Sequence, residues 1–302
     1  MDVIDADAQN KVGVLGATSL VGTCLLPLLR QQRWLVTAYS RGASGPSTEG
    51  VTWRRLPLEP SPSLRRRPEE DGCVTPHWIC VAPVWVLLEH FGLLEAQGAQ
   101  RVVVLSSTSL FTKDDSSDPH EQSIARRLAD AETRVQAWAQ SHAVEWIVLR
   151  PTLIYGLGRD KNIAEIARFI RRFGFFPLLG KATGLRQPVH VADVVGACLA
   201  ALQTPGAVNR AYTISGGETL TYREMVGRIF AALGWRPRLL TVPLWAFRLA
   251  VTCVRCLPRY RDWSAAMAER MNRDLVFDHG DAARDLDFKP MAFRLTAADL
   301  PR

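Results

Sequence analysis

Val12-Gly13-Val14-Leu15-Gly16-Ala17-Thr18-Ser19-Leu20-Val21-Gly22 joins a short apolar run to a glycine turn and then to an apolar helical pattern that continues to Arg30. In that order a strand, a tight turn and a helix N-terminus aim backbone N–H groups and the positive end of a helix dipole at one place, which suits a diphosphate. Gly16 stands where the chain must turn and Gly22 where the helix meets the strand. Ser19 occupies the place at which a third glycine would allow the closest approach of a ligand. Glycine turns also occur for structural reasons alone. Position adds weight here, because the turn follows the first strand of an alternating chain and the second strand comes one helix later.

Outward from this stretch, strands are expected over 12–15, 35–39, 78–81, 101–105 and 146–149, with helices over 20–30, 85–97 and 125–141 between them. The alternation predicts an α/β fold, a Rossmann-type doubly wound parallel sheet. After Pro151 the texture changes to a loop with Gly156, Gly158 and Gly180, a basic helix over 163–173, a helix over 192–202, a strand over 211–214 and a helix over 222–233 closed by Gly234. Residues 1–160 are expected to form the dinucleotide-binding domain, with 187–215 returning to it, and 161–186 and 216–302 a smaller C-terminal substrate lobe. Residues 46–71, with Pro57, Pro60, Pro62 and Pro68, read as an irregular surface excursion. The apolar stretch 239–257 is interrupted by Arg248 and Arg255 and falls short of the roughly 20 residues a membrane span needs. It reads as an amphipathic helix packed on the lobe, with a peripheral membrane contact through Trp245, Phe247 and its arginines as the alternative.

A chain of 302 residues, 47% of them hydrophobic, can bury a substantial core. Its formal charge of +7 comes from 32 Arg and 5 Lys against 30 acidic residues, with small clusters at Arg65-Arg66-Arg67, Arg168/Arg171/Arg172 and Arg255/Arg259/Arg261. Solvated surface charge is the plain reading, an anionic ligand or an acidic membrane surface the sharper one, and no nucleic-acid-binding motif accompanies the charge. Cys24, Cys73, Cys80, Cys198, Cys253 and Cys256 lie mostly in apolar runs and form no disulfide framework. Cys253-x-x-Cys256 lacks a second ligand pair, and no metal is expected. The acidic first residues lack the pattern of a secretory signal. A cytoplasmic location, extended by contact with the inner membrane face, is the expectation.

The end of the second strand bears on which dinucleotide fits. A site for NAD usually offers Asp or Glu there to hold the ribose hydroxyls. Here the strand ends Ala38-Tyr39-Ser40-Arg41. Arg41 can make a charge-assisted contact with a 2′-phosphate, worth about 1.5 to 3 kcal/mol, where a carboxylate would repel it. The sequence therefore favours NADP(H) over NAD(H).

Together with later segments these residues resemble the extended short-chain dehydrogenase/reductase family, the nucleotide-sugar epimerases and dehydratases. The matching pieces are Leu15-Gly-Ala-Thr-Ser-Leu-Val-Gly22, Val104-Leu-Ser-Ser-Thr108, Leu149-Arg-Pro-Thr-Leu-Ile-Tyr-Gly156, Gln187-Pro-Val-His-Val-Ala-Asp193 and Tyr212-Thr-Ile-Ser-Gly-Gly-Glu218. Arg172-Phe-Gly-Phe-Phe-Pro-Leu178, the Pro243-Leu-Trp-Ala-Phe segment and Glu269-Arg-Met are similar to an atypical branch that includes the NADPH-binding accessory subunit of respiratory complex I. The resemblance implies that Gly16, Thr18, Ser19, Leu20, Val21 and Arg41 surround the adenosine diphosphate half of the cofactor. It places Ala82, Pro83, Ser106, Pro151 and Leu153 along the nicotinamide half, and Thr108 at the position of a catalytic Ser/Thr.

The resemblance breaks at the family's Tyr-x-x-x-Lys, whose tyrosine exchanges a proton as hydride moves and whose lysine lowers the tyrosine's pKa. Alignment through Ala131-Glu132 puts Ile124 and Leu128 there, and neither side chain titrates. Losing general acid/base help typically costs about a hundredfold to ten-thousandfold in rate, so the ordinary epimerase mechanism is not expected. Tyr155 and His120 are the substitutes the sequence offers; His190 and Asp193 read as a strand end and a helix N-cap. Two functions remain. One is an NADP(H)-dependent oxidoreductase of atypical mechanism, with Thr108 and Tyr155 acting on a small organic or lipid-like substrate. The other is a cofactor-binding protein without turnover, serving assembly, sensing or membrane association.

Overall fold

The apolar runs of the first half assemble by the pairing that period-2 strands buried on both faces require. The structure, a computed structural model, describes residues 10–42, 50–56, 74–113, 116, 118–243, 245 and 270–301. One parallel sheet holds β1 (Lys11–Leu15), β2 (Leu35–Ser40), β3 (Val51–Arg55), β4 (His77–Cys80), β5 (Arg101–Leu105), β6 (Glu145–Pro151) and, after four short strands in the smaller lobe, β11 (Arg210–Ile214). The order β11-β6-β5-β4-β1-β2-β3 puts β1 between β2 and β4. The chain thus winds outward one way, then crosses back and winds the other, which opens a crevice at the carboxyl ends of β1 and β4.

Helices cover both faces. On β5, Val103 and Leu105 join a core with α1 (Leu20–Gln31), whereas Val102 and Val104 point to the opposite core with Trp78 and Trp138. That second face carries α2 (Val84–Leu87), α3 (Phe91–Ala96) and, beyond the short α4 (Ser109–Thr112), the long α5 (Pro119–Ser141). The single helix expected over 85–97 is interrupted at His90, whose φ of −123° and ψ of 14° leave the helical region. Asp118 caps α5 by accepting from the His120 amide, with Pro119 at the first turn, so this helix starts before the expected 125.

The smaller lobe begins with β7 (Ile154–Tyr155), α6 (Ile163–Phe173), β8 (Phe176–Leu179), β9 (Leu185–Arg186) and β10 (Val189–His190). α7 (Val191–Gln203) then packs on α1, and β11 pairs with β6 in the main sheet. β12 (Leu220–Thr221), α8 (Tyr222–Ala232) and β13 (Leu239–Val242) complete the lobe, with Gly234 beyond α8 at φ +75°. Its core holds Ile166, Ile170, Met225, Phe230 and Phe293. α9 (Gly280–Leu286) leaves the lobe expected over 216–302, because Ala282, Leu286 and Phe288 pack with Val12 and Ile214 in the sheet's core.

Two further expectations need correction. Within the supposed irregular stretch 46–71, Val51–Arg55 is the edge strand of the sheet, with Val51 and Trp53 half-buried between exposed neighbours. The rest of that stretch, residues 46–49 and 57–71 with Arg65-Arg66-Arg67, lies outside the described residues. The amphipathic helix expected from 239 instead begins as a strand, Leu239–Val242, paired in parallel with Phe176–Leu179. Trp245 is helical and 71% exposed. Phe247, Arg248, Arg255, Arg259, Arg261, Cys253 and Cys256 lie outside the described residues, as does Cys73.

Candidate active site

Gly16 takes φ +82°, and a Cβ there would lie 2.5 Å from the backbone nitrogen of Ala82. The turn after β1 and the loop after β4 therefore meet with no space for a side chain. A Cβ on Gly22 would be equally close, 2.5 Å from the Gly16 carbonyl oxygen. Ser19 caps α1, its hydroxyl oxygen accepting from the Gly22 amide at 3.0 Å. The amides of Leu20 and Val21 lie in the first turn, where no intrahelical acceptor exists, and Thr18 stands exposed ahead of them. This cradle suits the diphosphate of a dinucleotide.

Arg41 follows β2 and is exposed. The register of the edge strand sets Arg54 opposite Tyr39 and Arg55 opposite Ser40, so three guanidinium groups belong to this edge. Arg54 and Arg55 escaped the sequence reading because β3 was taken for irregular chain. Ala82 and Pro83 follow β4, with Pro83 capping α2.

Beside this crevice, at the carboxyl ends of β5 and β6, a cavity of about 420 Å³ is lined by Ser107, Thr108, Thr152 and Leu153, and from the lobe side by Arg186 and Arg270. Thr108 is buried, and its hydroxyl donates to the Pro151 carbonyl at 3.2 Å. The Ser106 hydroxyl donates to Glu132, a buried carboxylate that also holds Arg150 at 2.5 Å. Ile124 and Leu128 pack into the core with Trp78 and Trp138, so the helix face aligned with the absent Tyr/Lys pair is apolar.

Charge enters the cavity from other positions. Glu121, one turn ahead of Ile124 on α5, is buried; it accepts from Ser116 at 2.8 Å and pairs with Arg270, and Lys113 lies 3.9 Å away. Burial lowers the Lys113 pKa below the usual ammonium value, although Glu121 opposes the shift. Arg186 is buried too, and desolvation brings its pKa down to about 10; it donates to the Arg273 carbonyl at 2.7 Å and lies over the Tyr222 ring. Lys113, Arg186, Arg270 and Arg273 thus line the cavity with Glu121 as its carboxylate. Sequence reasoning missed all five. Glu121 alone had a local signal, its place one helical turn before the aligned tyrosine position.

Tyr155 goes elsewhere. It is buried, its hydroxyl donates to the Arg294 carbonyl at 3.2 Å, and its ring meets His190 and Phe293 edge-on. Burial pushes its pKa up to about 12, and it is not among the cavity's lining residues. Tyr155, offered by the sequence as a substitute proton donor, thus packs in the core of the smaller lobe. His120 lies exposed on the first turn of α5. His190 caps α7, accepting from the Ala192 amide, and contacts Asp299 at 3.1 Å. Asp193, expected as the cap, sits inside the first turn and accepts from the Met291 amide.

Residues 84–215 match the NAD dependent epimerase/dehydratase family. A UDP-glucose 4-epimerase of Vibrio cholerae is 25% identical over 50% of this chain and 49% of its own length. A mitochondrial NADH dehydrogenase [ubiquinone] 1 alpha subcomplex subunit 9 of Arabidopsis thaliana is 30% identical over 33% of this chain and 25% of its own, one relative among several. A 2-alkyl-3-oxoalkanoate reductase of Stenotrophomonas maltophilia is 30% identical over 55% and 53%. The matches thus span about half or less of these curated relatives. Among solved structures, a UDP-glucuronic acid 4-epimerase from Bacillus cereus in complex with NAD superposes with a TM-score of 0.68 at 13% identity, covering 96% of this chain and 95% of that one. The fold is that of this group, a seven-stranded Rossmann-like sheet with a smaller C-terminal region.

Proposed function

We propose that this chain, whose residues 84–215 match the NAD dependent epimerase/dehydratase family, binds a nicotinamide dinucleotide at the Gly16 turn and exchanges hydride with a small organic molecule in the cavity beside Thr108. The observation that carries this reading is the shared edge: a cradle fit for a diphosphate, after β1 and β4, and a polar, cation-lined cavity, after β5 and β6, both lie at the carboxyl ends of neighbouring strands of one parallel sheet. In this reading Leu20 and Val21 donate their amides to the diphosphate, Ala82 and Pro83 border the dinucleotide, and Ser106, Pro151 and Leu153 flank its nicotinamide end. NADP(H) is preferred over NAD(H), because Arg41, with Arg54 and Arg55 beside it, offers positive charge where a 2′-phosphate would lie.

When bound, the dinucleotide supplies or accepts the hydride. Thr108 donates a hydrogen bond to the substrate oxygen in place of its resting bond to Pro151. Lys113 gives that oxygen its proton during reduction, a task for which burial makes its ammonium more acidic than an exposed one. Arg270, Arg273 and Arg186 favour a substrate carrying a carboxylate or phosphate. A 3-oxo acid and a nucleotide sugar both answer that description, consistent with the names of the reductase and the epimerases that this chain resembles.

Two measurements test the reading. Millimolar NADPH should raise the thermal midpoint of the purified protein more than NADH does, and NADPH should be oxidised in single turnover by at least one of a panel of 3-oxo acids, enones, quinones and nucleotide sugars. No thermal shift with either dinucleotide removes the whole proposal. A shift without oxidation by any member of the panel replaces it with binding without turnover.

A further inference from the structure

The basic helix of the smaller lobe plays no part in the site above. α6 and α8 pack side by side, and each runs into one of the two parallel strands β8 and β13, so both helices end at the same end of the lobe. At that end Phe173 is 51% exposed, Phe175 36%, Trp235 43% and Leu240 55%. Phe173 and Phe175 lie 6.4 Å apart between ring centres, and Phe176 bonds to the Arg238 carbonyl, which ties the α6 end to the strand carrying Leu240. Five exposed arginines belong to the same segments: Arg168, which donates to the Gly158 carbonyl at 3.1 Å, Arg171 and Arg172 on α6, and Arg236 and Arg238 between α8 and β13. Among the described residues only Arg168 has a carboxylate partner, Glu165 at 3.5 Å. Arg171 reaches the Pro301 carbonyl and Arg172 lies over the Phe173 ring at 5.2 Å.

We infer that this end of the lobe docks on an anionic lipid surface. Aromatic and leucine side chains amid arginines are the combination that partitions into a headgroup layer. The apolar groups enter the interface while the guanidinium groups stay at phosphate depth. The excess of unpaired positive charge selects anionic lipid over neutral lipid, each arginine contributing on the order of a fivefold gain in binding. Arg171 and Arg172, in the last turn of α6, have a simpler role as well, since cations offset the negative end of a helix dipole. That role does not call for exposed phenylalanine, tryptophan and leucine among them.

Co-sedimentation of the full chain with vesicles tests this. The protein should pellet with phosphatidylcholine vesicles containing phosphatidylglycerol, stay in solution with phosphatidylcholine alone, and be released at about 1 M salt, where the screening length is roughly 3 Å. Arg172→Ala with Arg238→Ala should weaken binding about twenty-five-fold, and Phe173→Ser with Leu240→Ser should abolish it, with the NADPH thermal shift unchanged in both. Wild-type protein that stays in solution with anionic vesicles overturns the inference, as does pelleting that ignores both double variants. Self-association through this face without vesicle binding overturns it too, since the occupant would then be a second copy. Because the dinucleotide site takes no part, loss of vesicle binding leaves the NADPH shift in place, and a missing NADPH shift leaves vesicle binding in place.

Discussion

Arg41 is where one side chain should decide which dinucleotide is preferred. Arg41→Ala is expected to weaken NADPH about tenfold to a hundredfold, the weight of a charge-assisted contact, and to leave NADH within a few-fold. Titration calorimetry with both cofactors reads this directly, and an equal loss for both would remove the 2′-phosphate contact from the account. Tyr155→Phe bears on the proton instead. With its hydroxyl held at the Arg294 carbonyl, the variant should lose about 1 kcal/mol of stability and keep its turnover, whereas Lys113→Met should slow NADPH oxidation by about a hundredfold or more and flatten its pH profile. The contrast shows what a sequence can disclose at this scale. Gly16 and Gly22 were legible because their roles, a turn and the junction of helix and strand, depend on neighbours within a few positions, whereas the capping of α1 by Ser19 was not read. The Glu121–Arg270 pair was not, because its partners come from α5 and from the chain beyond β13 and meet only after folding.

At the scale of elements, polar ties fix how helices sit on strands. Glu132 of α5 is buried and bound by Arg150 of β6 and by Ser106. Arg150→Met would strand that carboxylate and should cost about 3 to 5 kcal/mol by denaturant unfolding; adding Glu132→Gln should recover a good part of the loss. A second tie has a pH signature. Burial raises the Asp299 pKa, but the Thr296 amide and hydroxyl and the His190 ring outweigh it, so the folded value lies below the ordinary one. Its contribution is therefore present above the unfolded pKa of about 3.9 and is lost as pH falls through the folded value. Asp299→Asn should be about 1 kcal/mol or more less stable than wild type at neutral pH, with the gap closing below about pH 4. Among the elements that escaped the sequence reading, β3 and β13 are short edge strands. Four or five residues carry too little periodicity to outvote a proline-rich or apolar setting, and pairing with β2 and β8 is what makes them strands.

The whole molecule is bound together by its C-terminal course. α9 packs on the sheet through Ala282 and Leu286, and a few residues later Phe293 is buried in the lobe against Tyr155, while Arg228 holds the Phe293 carbonyl at 3.0 Å. One stretch of chain therefore contributes to both cores, which argues that sheet and lobe unfold together. Phe293→Ala should cost about 3 to 5 kcal/mol by opening a cavity in the lobe. If the cores are coupled, that loss lowers the unfolding midpoint seen by near-UV circular dichroism and by loss of NADPH binding alike, although the dinucleotide cradle lies far along the chain from residue 293. NADPH at about one hundred times its dissociation constant should then restore roughly 2.7 kcal/mol to the variant as a whole, because ligand held by the native sheet draws the lobe with it. Two separated transitions, with the cradle still binding after the lobe has melted, would show instead that the C-terminal course merely touches both cores without coupling them.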